Sequence, residues 1–337
     1  MSTSTPSNPA QHHIMGVYNR APLAFERGRG ARLFSTTGEE YLDCVAGIAT
    51  CGLGHAHPVL VDALKTQGEK LWHVSNIYTI PEQEELADKL CAATFADVVF
   101  FTNSGTEAIE CALKAARRYH VVNGQPERVD IIGFDGSFHG RSYQITRDAG
   151  VLLIFDEVQS GMGRTGKLFA HEWASDAAPD IMAVAKALGG GFPVGACLAS
   201  TEGARGMTPG VHGSTYGGNP LAMAVGKAAF DAINTPEILD NVKTVAGFFT
   251  QQLEGLKDRF PDVIVDIRGK GLLIGIKLIP NNREFMVLAR DQKLLIAGGG
   301  DNCVRLLPPL NLTVEEASEA VAKLEKACEA ARAKAAA

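Results

Sequence analysis

A chain of 337 residues, 46% hydrophobic and 21% charged, exceeds what one hydrophobic core usually holds and reads as a folded protein of about two domains. Its net charge of -6, without any cluster of Lys and Arg, argues against a nucleic-acid backbone as the main partner, because such binding needs concentrated positive charge. Seven isolated cysteines (Cys44, Cys51, Cys91, Cys111, Cys197, Cys303 and Cys328), odd in number and without C-x-x-C spacing, argue against a disulfide framework or a zinc knuckle and fit a reducing cytoplasm.

Met1 to Gln11 is rich in Ser, Thr and Pro without an apolar signal-sequence core, and no stretch has the length of a membrane span, so no membrane partner is expected. Residues 1–58 hold short extended pieces, such as Ala31-Arg32-Leu33-Phe34 and Glu40-Tyr41-Leu42-Asp43, punctuated by Gly and Pro; they are assigned to a small domain. Over 59–235, helical patterns at Pro81 to Cys91 and Ser104 to Tyr119 alternate with apolar runs. Those runs are Val98 to Phe101, Ile131 to Phe134, Val151 to Phe155, Ile181 to Ala185 and Ala196 to Ala199. The alternation predicts an α/β domain with a mostly parallel central sheet and helices on both faces. Over 236–337, a long amphipathic helix precedes strands near Val263 to Arg268, Leu272 to Leu278 and Cys303 to Leu306. A closing helix starts at Val314 behind a Thr313/Glu316 capping box, which makes a smaller α+β unit.

Strands buried on both faces of a parallel sheet are continuously apolar, and ligands of such sheets sit beyond their carboxyl ends. The run Val151-Leu152-Leu153-Ile154-Phe155 ends in Asp156, and the run from Ile181 ends at Lys186, so both residues are expected at one crevice, with Asp156 buried there. Two nucleotide readings compete. Gly161-Met162-Gly163-Arg164-Thr165-Gly166-Lys167 nearly spells a phosphate loop, but Leu168 stands where a Ser or Thr hydroxyl is required. The same glycines fit G-x-G-x-x-G, yet no strand runs directly into them, and a Gly-rich surface loop carrying Arg164 is the better account.

A third reading uses more residues. Asn103-Ser104-Gly105-Thr106-Glu107 follows a strand and opens a helix, with Ser104 and Glu107 spaced as a capping box. Free N–H groups and the positive end of the helix dipole make that start an anion site. Gly105 permits close approach of the backbone, and Thr106 adds a hydroxyl. Phe138 and Arg141, in Gly136-Ser137-Phe138-His139-Gly140-Arg141, offer a ring and a guanidinium just past another strand end. Lys186, in an apolar setting, loses charge stability and becomes a usable amine. An anion cradle, an aromatic face, an acid and a desolvated lysine are together what pyridoxal 5′-phosphate requires. His55 and His57 lack further ligands nearby and are assigned to a turn before Pro58, not to a metal.

With these motifs in order, the chain resembles the class III, fold-type I aminotransferases of the acetylornithine and succinyl-diaminopimelate type. Further matching stretches are Met15 to Arg20, Leu53 to Pro58, Ser75-Asn76, Asp156 to Gln159, His212 to Pro220 and Arg305 to Pro309. The resemblance implies transamination between an acylated diamino acid and 2-oxoglutarate in arginine or lysine synthesis. It implies that Ser104, Gly105 and Thr106 hold the phosphate, Phe138 and Val158 sandwich the ring, and Asp156 keeps the ring nitrogen protonated. Gln159 would bond the phenolic oxygen, and Lys186 would join the cofactor covalently. Arg141 and Arg305 are implied as carboxylate clamps, and Thr215 as reaching the phosphate of a neighbouring subunit in a homodimer. Related ω-aminotransferases and aminomutases share the cofactor motifs; Arg141 favours an α-carboxylate substrate.

One junction departs from the family. Between Tyr143 and Ala149 family members carry several tens of further residues, including two sheet strands and a glutamate that pairs with a substrate-binding arginine; a chain truly without them would be a non-catalytic scaffold. The connection from Phe134 to Val151 is also Gly-rich and lacks the helical crossover that parallel strands need. Removing interior strands would strand backbone groups and apolar faces. The native polypeptide is therefore expected to be longer at this point; an intact mass of 35.8 kDa for the natural protein would refute this.

Overall fold

The computed structural model describes residues 17–133, 150–174 and 178–336. Strands β1 (Phe25–Arg29), β2 (Arg32–Ser35) and β3 (Glu40–Asp43) form an antiparallel meander. Gly30 turns its first hairpin at φ +55, a conformation that L side chains resist. At the end of β3 the buried Asp43 carboxylate accepts from the N–H of Val45 (2.8 Å) and Ala46 (3.1 Å) and meets His55 Nε2 at 2.7 Å. These bonds brace a single turn, Ala46–Ala49, in which every φ is positive. Left-handed backbone costs roughly 1–2 kcal/mol per residue with a side chain, so the turn needs such an anchor.

Helices α1 (Pro58–Gly68) and α2 (Pro81–Ala92) both place a proline in the first turn, where its missing N–H is no loss. Next come β4 (Val98–Thr102), α3 (Gly105–Val122), β5 (Ile154–Asp156), β6 (Ile181–Val184) and β7 (Gly195–Ala199). The four strands form one sheet in the order β4-β7-β6-β5. β5 runs parallel to β6, while β7 is antiparallel to both its neighbours, so three of the four share a direction. Every residue of β6 and β7 is buried, as continuous apolar runs predict for strands covered on both faces. Cys111, Ala112 and Ala115 of α3 pack against Ile181, Cys197 and Ala199, small side chains that let helix and sheet approach closely.

Helix α4 (Pro220–Ile233) packs against α1 and α2 and is followed by α5 (Pro236–Arg259). Then β8 (Ile264–Lys270), β9 (Leu273–Leu278), α6 (Asn282–Asp291), β10 (Leu294–Leu295), β11 (Ala297–Gly298), β12 (Cys303–Leu306) and α7 (Val314–Ala336) complete the chain. An antiparallel sheet runs β11-β12-β9-β8, while β10 joins β3 in parallel and so extends the N-terminal meander. The expected Thr313/Glu316 capping box is reciprocal, with N···O distances of 3.1 and 3.2 Å.

Two expected strands differ. Residues 131–133 form no strand, and Ile131 and Ile132 are exposed with no strand beside them among the described residues; Phe134 lies outside those residues. The run from Val151 joins the ladder only at Ile154, because the Leu153 N–H is taken by the Asp180 side chain at 2.8 Å. Among the described residues no helix is long and apolar enough to cross a membrane.

The Asp43–His55 pair sets a pH dependence. The hydrogen bond to Asp43, followed by one to Cys51, raises the His55 imidazole from 6.5 to about 9. A group with a raised folded-state pKa contributes stability that is complete below its unfolded value and is lost as pH rises through the folded one. The unfolding free energy should fall between pH 6.5 and 9.5 by an amount on the order of 2 kcal/mol, read as a lower melting temperature, and His55→Gln should remove that part of the slope. An unchanged slope in the variant would refute the assignment.

Candidate active site

In the parallel ladder Asp156 stands opposite Ala183, and the chain leaving β6 turns at Ala185 into Lys186. The two adjacent strand ends thereby deliver a carboxylate and an amine to one edge of the sheet. Lys186 holds φ at +50, and such strain at a residue with a side chain costs roughly 1 kcal/mol or more and clusters at functional sites. Burial holds its amine below the usual lysine value, the Arg305 charge lowers it further, and Asp156 opposes both. Around this pair lies a cleft of about 420 Å³ lined by Gly105, Thr106, Ile109, Glu110, Asp156, Val158 and Lys186.

The start of α3 supplies the opposite wall. Ser104 Oγ accepts from the N–H of Glu107 at 3.3 Å, while the Glu107 carboxylate reaches past Ser104 to the backbone and side chain of Asn103 at 2.8 and 2.9 Å. This is a capping box displaced by one residue. First-turn N–H groups have no partner within a helix, so those of Gly105 and Thr106 are available to an anion. A Cβ on Gly105 would lie 2.8 and 2.9 Å from the two Val158 methyls, so the absence of a side chain is what brings the helix start against Val158.

Behind the cleft, Glu157 is buried and fully used. It accepts from Ser160 Oγ (2.9 Å), Ala170 N (2.9 Å) and His171 N (2.8 Å), and lies 3.2 Å from His171 Nδ1. Burial pushes its carboxyl up, but His171 and the backbone donors outweigh that and hold it below the ordinary value. Gln159 and Arg305 meet each other, Nη1 donating to Oε1 at 3.3 Å, and Arg305 Nε donates to the Gly298 carbonyl at 3.0 Å.

Gly105, Thr106, Asp156, Val158 and Lys186 thus converge, with Ser104 capping the same helix. Gln159 and Arg305 form a pair beside the cleft without lining it, and Thr215 is exposed and does not line it either. Phe138 and Arg141 lie outside the described residues. Asp156 is exposed, not buried as expected; it is the last residue of a strand with a neighbour on one side only among the described residues.

Arg164 is also not on a surface loop. Its side chain is only 1% exposed. The glycine-rich turn spends its N–H groups internally, Gly161 on Glu157 O, Gly163 on Leu168 O and Gly166 on Gly163 O, which leaves no phosphate cradle there. Ile109 and Glu110 escaped the sequence reading, although one helical turn beyond Gly105 and Thr106 places them on the same face. A larger depression of about 620 Å³ near Lys89, Lys167 and Lys243 shares no residue with the cleft, and its Lys89 and Asp231 are spent on each other at 2.8 Å.

The chain matches the family model for class-III aminotransferases over residues 15–145 and 143–328. It is 68% identical to acetylornithine aminotransferase 2 of Caulobacter vibrioides, covering all of both chains. It is 40% identical to the acetylornithine/succinyldiaminopimelate aminotransferase of Yersinia pestis, over 93% of this chain and 95% of that protein. In structure it is similar to the N-acetylornithine aminotransferase of Stenotrophomonas maltophilia, with a TM-score of 0.86 and 35% identity, covering 94% of this chain and 98% of the other. The family match breaks and resumes at 143–145, where the sequence departs from expectation. The Caulobacter alignment spans 405 positions against 337 residues here, which leaves 68 positions without a counterpart in this chain.

The cradle fits a phosphate-bearing cofactor, and Gly105 is its narrowest point. Gly105→Ala should push Val158 into the cleft and weaken binding of pyridoxal 5′-phosphate by about tenfold, for a strain of roughly 1–3 kcal/mol. Titration of the cofactor against absorbance checks this, and unchanged affinity would show that the contact does not shape the site.

Proposed function

Because this chain belongs to the class III aminotransferases, we propose that it transfers the amino group of N-acetylornithine to 2-oxoglutarate, using pyridoxal 5′-phosphate, and releases the semialdehyde and glutamate. The observation that carries the reading is the convergence of Lys186, Asp156 and the start of α3 on one cleft. N-Succinyl-diaminopimelate is a second acylated substrate, in keeping with the dual name of the Yersinia relative.

When bound, the cofactor supplies a protonated, electron-withdrawing ring that makes the substrate α-proton acidic. Ser104, Gly105 and Thr106 would hold the phosphate through N–H and hydroxyl donors. The Asp156 carboxylate would hold the proton on the ring nitrogen, and Val158, with Phe138, would pack on the ring. Gln159 would donate to the phenolic oxygen. The Lys186 amine would hold and move the proton at the substrate α-carbon; positioned proton transfer of this kind contributes about 10²- to 10⁴-fold. Burial, which holds this amine below the usual lysine value, supports the role. Arg305 binds a substrate carboxylate, as does Arg141, since planar guanidinium forks match carboxylates.

We assign residues 59–235 to the cofactor domain and 1–58 together with 236–337 to the small one; the pairing of β3 with β10 supports that division. The active unit is proposed to be a cytoplasmic homodimer in which Thr215 reaches the partner's phosphate. In support, Trp72, Ile77, Tyr78 and Tyr216 are 62–80% exposed, and Asn76 ties their two segments together through the Ser214 and Gly217 carbonyls. Apolar exposure on this scale marks a surface that is covered by a partner.

The break at 143–145 favours a second reading, a scaffold without cofactor. One experiment separates the two. The purified protein should show a yellow band that bleaches with glutamate, and Lys186→Ala should lose that response and more than about 10³-fold of the activity. A colourless protein that refuses added cofactor would establish the scaffold instead.

A further inference from the structure

Arg164 has no part in the roles above, yet its guanidinium is fully buried with no carboxylate in ion-pair contact among the described residues. Burial lowers it only to about 10, so it stays charged at neutral pH. An unpaired charge inside a core is expensive, and a methionine of similar length would fill the space at less cost. What the methionine would lack is the set of N–H donors. Nη1 donates to the Leu272 carbonyl at 3.2 Å and to the Pro308 carbonyl, while Nη2 is buried without a partner among the described residues. The Arg164 carbonyl in turn accepts from Leu272 N at 2.9 Å.

The Pro308 bond matters because of where Pro308 sits. Pro308 and Pro309 have no N–H, so this stretch is fixed by its carbonyls and by the flanking bonds of Leu307 N to Cys44 O and Leu310 N to Gly52 O. Three residues earlier is Arg305, which touches Gln159, itself five residues before Arg164. Two segments, 159–164 and 305–308, are thereby joined at both ends, by Gln159–Arg305 and by Arg164–Pro308.

We propose that Arg164 is a positioning residue for Arg305: by gripping the Pro308 carbonyl it fixes where the Arg305 guanidinium stands relative to Lys186, and hence how tightly a substrate carboxylate is held. The inference rests on the aminotransferase reading and deepens it. Arg164 touches neither cofactor nor substrate, and its effect passes through another side chain.

The test compares Arg164→Met, which loses the donors, with Arg164→Lys, whose ammonium can reach the same two carbonyls. In the cofactor-loaded protein, Arg164→Met should raise the KM for 2-oxoglutarate and its calorimetric Kd by about tenfold, with kcat within about threefold, while Arg164→Lys stays near the parent. In an Arg305→Gln background, Arg164→Met should change neither value further, because neighbours that act through one another are not additive. A lower melting temperature with unchanged KM and Kd, or an additive effect in the double variant, would overturn the proposal. Should Arg164→Met fail to fold, Arg164→Gln, with a donor on a shorter stem, takes its place in the same comparison. Glutamate bleaching of the parent protein tests the aminotransferase reading separately.

Discussion

The parallel, in-register pairing of β5 with β6 is the constraint on which the rest of the site depends. With Ile154 opposite Ile181 and Asp156 opposite Ala183, both strands end at the same edge, and the next residues out are the ones with chemistry. A one-residue slip would turn every side chain of β5 to the other face of the sheet and take Asp156 away from Lys186. The reversed strand β7 sets the other wall. Its first residue, Gly195, pairs with Thr102, and a Cβ there would sit 2.5 Å from both Ser104 O and Thr102 Oγ1. That close approach presses the start of α3 toward the strands, so the anion-binding and amine-bearing ends of the cleft are fixed by neighbouring pairings in a single sheet.

Two buried charges brace the segment that follows Asp156, by opposite means. Glu157 meets the cost of burial with a hydroxyl, two backbone N–H groups and an imidazole, so its carboxylate is favoured despite low exposure. Arg164 has only backbone carbonyls for company. A carbonyl dipole compensates a cation less well than a carboxylate does, but it leaves the charge uncancelled inside the core. That field falls on Lys186, where Arg164 and Arg305 both favour the neutral amine.

The sequence made the strand ends, the helix caps and the meeting of Asp156 with Lys186 legible, because each rests on local chemistry: an apolar run closed by an acid, a Ser-x-x-Glu before a helix, a lysine after five apolar residues. What it concealed was tertiary. Helix α4 is buried on most faces, so no amphipathic period announces it, and only Asn219-Pro220 marks its start. The left-handed turn at Ala46–Ala49 is held by Asp43 and His55, which lie outside it, and nothing in Ala-Gly-Ile-Ala predicts three side-chain-bearing residues at positive φ within one turn. Arg164 reads as solvated surface because glycines flank it and because carbonyls that pair with it lie more than a hundred residues away. Gln159 and Arg305 were assigned separate ligands, and their mutual hydrogen bond joins residues 146 apart in sequence, which neither motif announces.

The break in the family match bears on one half of the site more than the other. Strands β6 and β7 and the inner face of α3 are buried throughout, and they carry Lys186 and the phosphate cradle. Strand β5 is three residues long, half-buried at Ile154 and Phe155 and exposed at Asp156, and it pairs on one side only among the described residues. Its sequence, by contrast, is that of a strand meant to be covered on both faces. The family match is interrupted at 143–145, a few residues before this strand. A carboxylate in water attracts a ring N–H far less strongly than one at low dielectric, and an edge strand holds its last residue less firmly than an interior one. Lys186 and the start of α3 thus rest on strands that are buried throughout, whereas Asp156 ends a strand that is paired on one side only among the described residues.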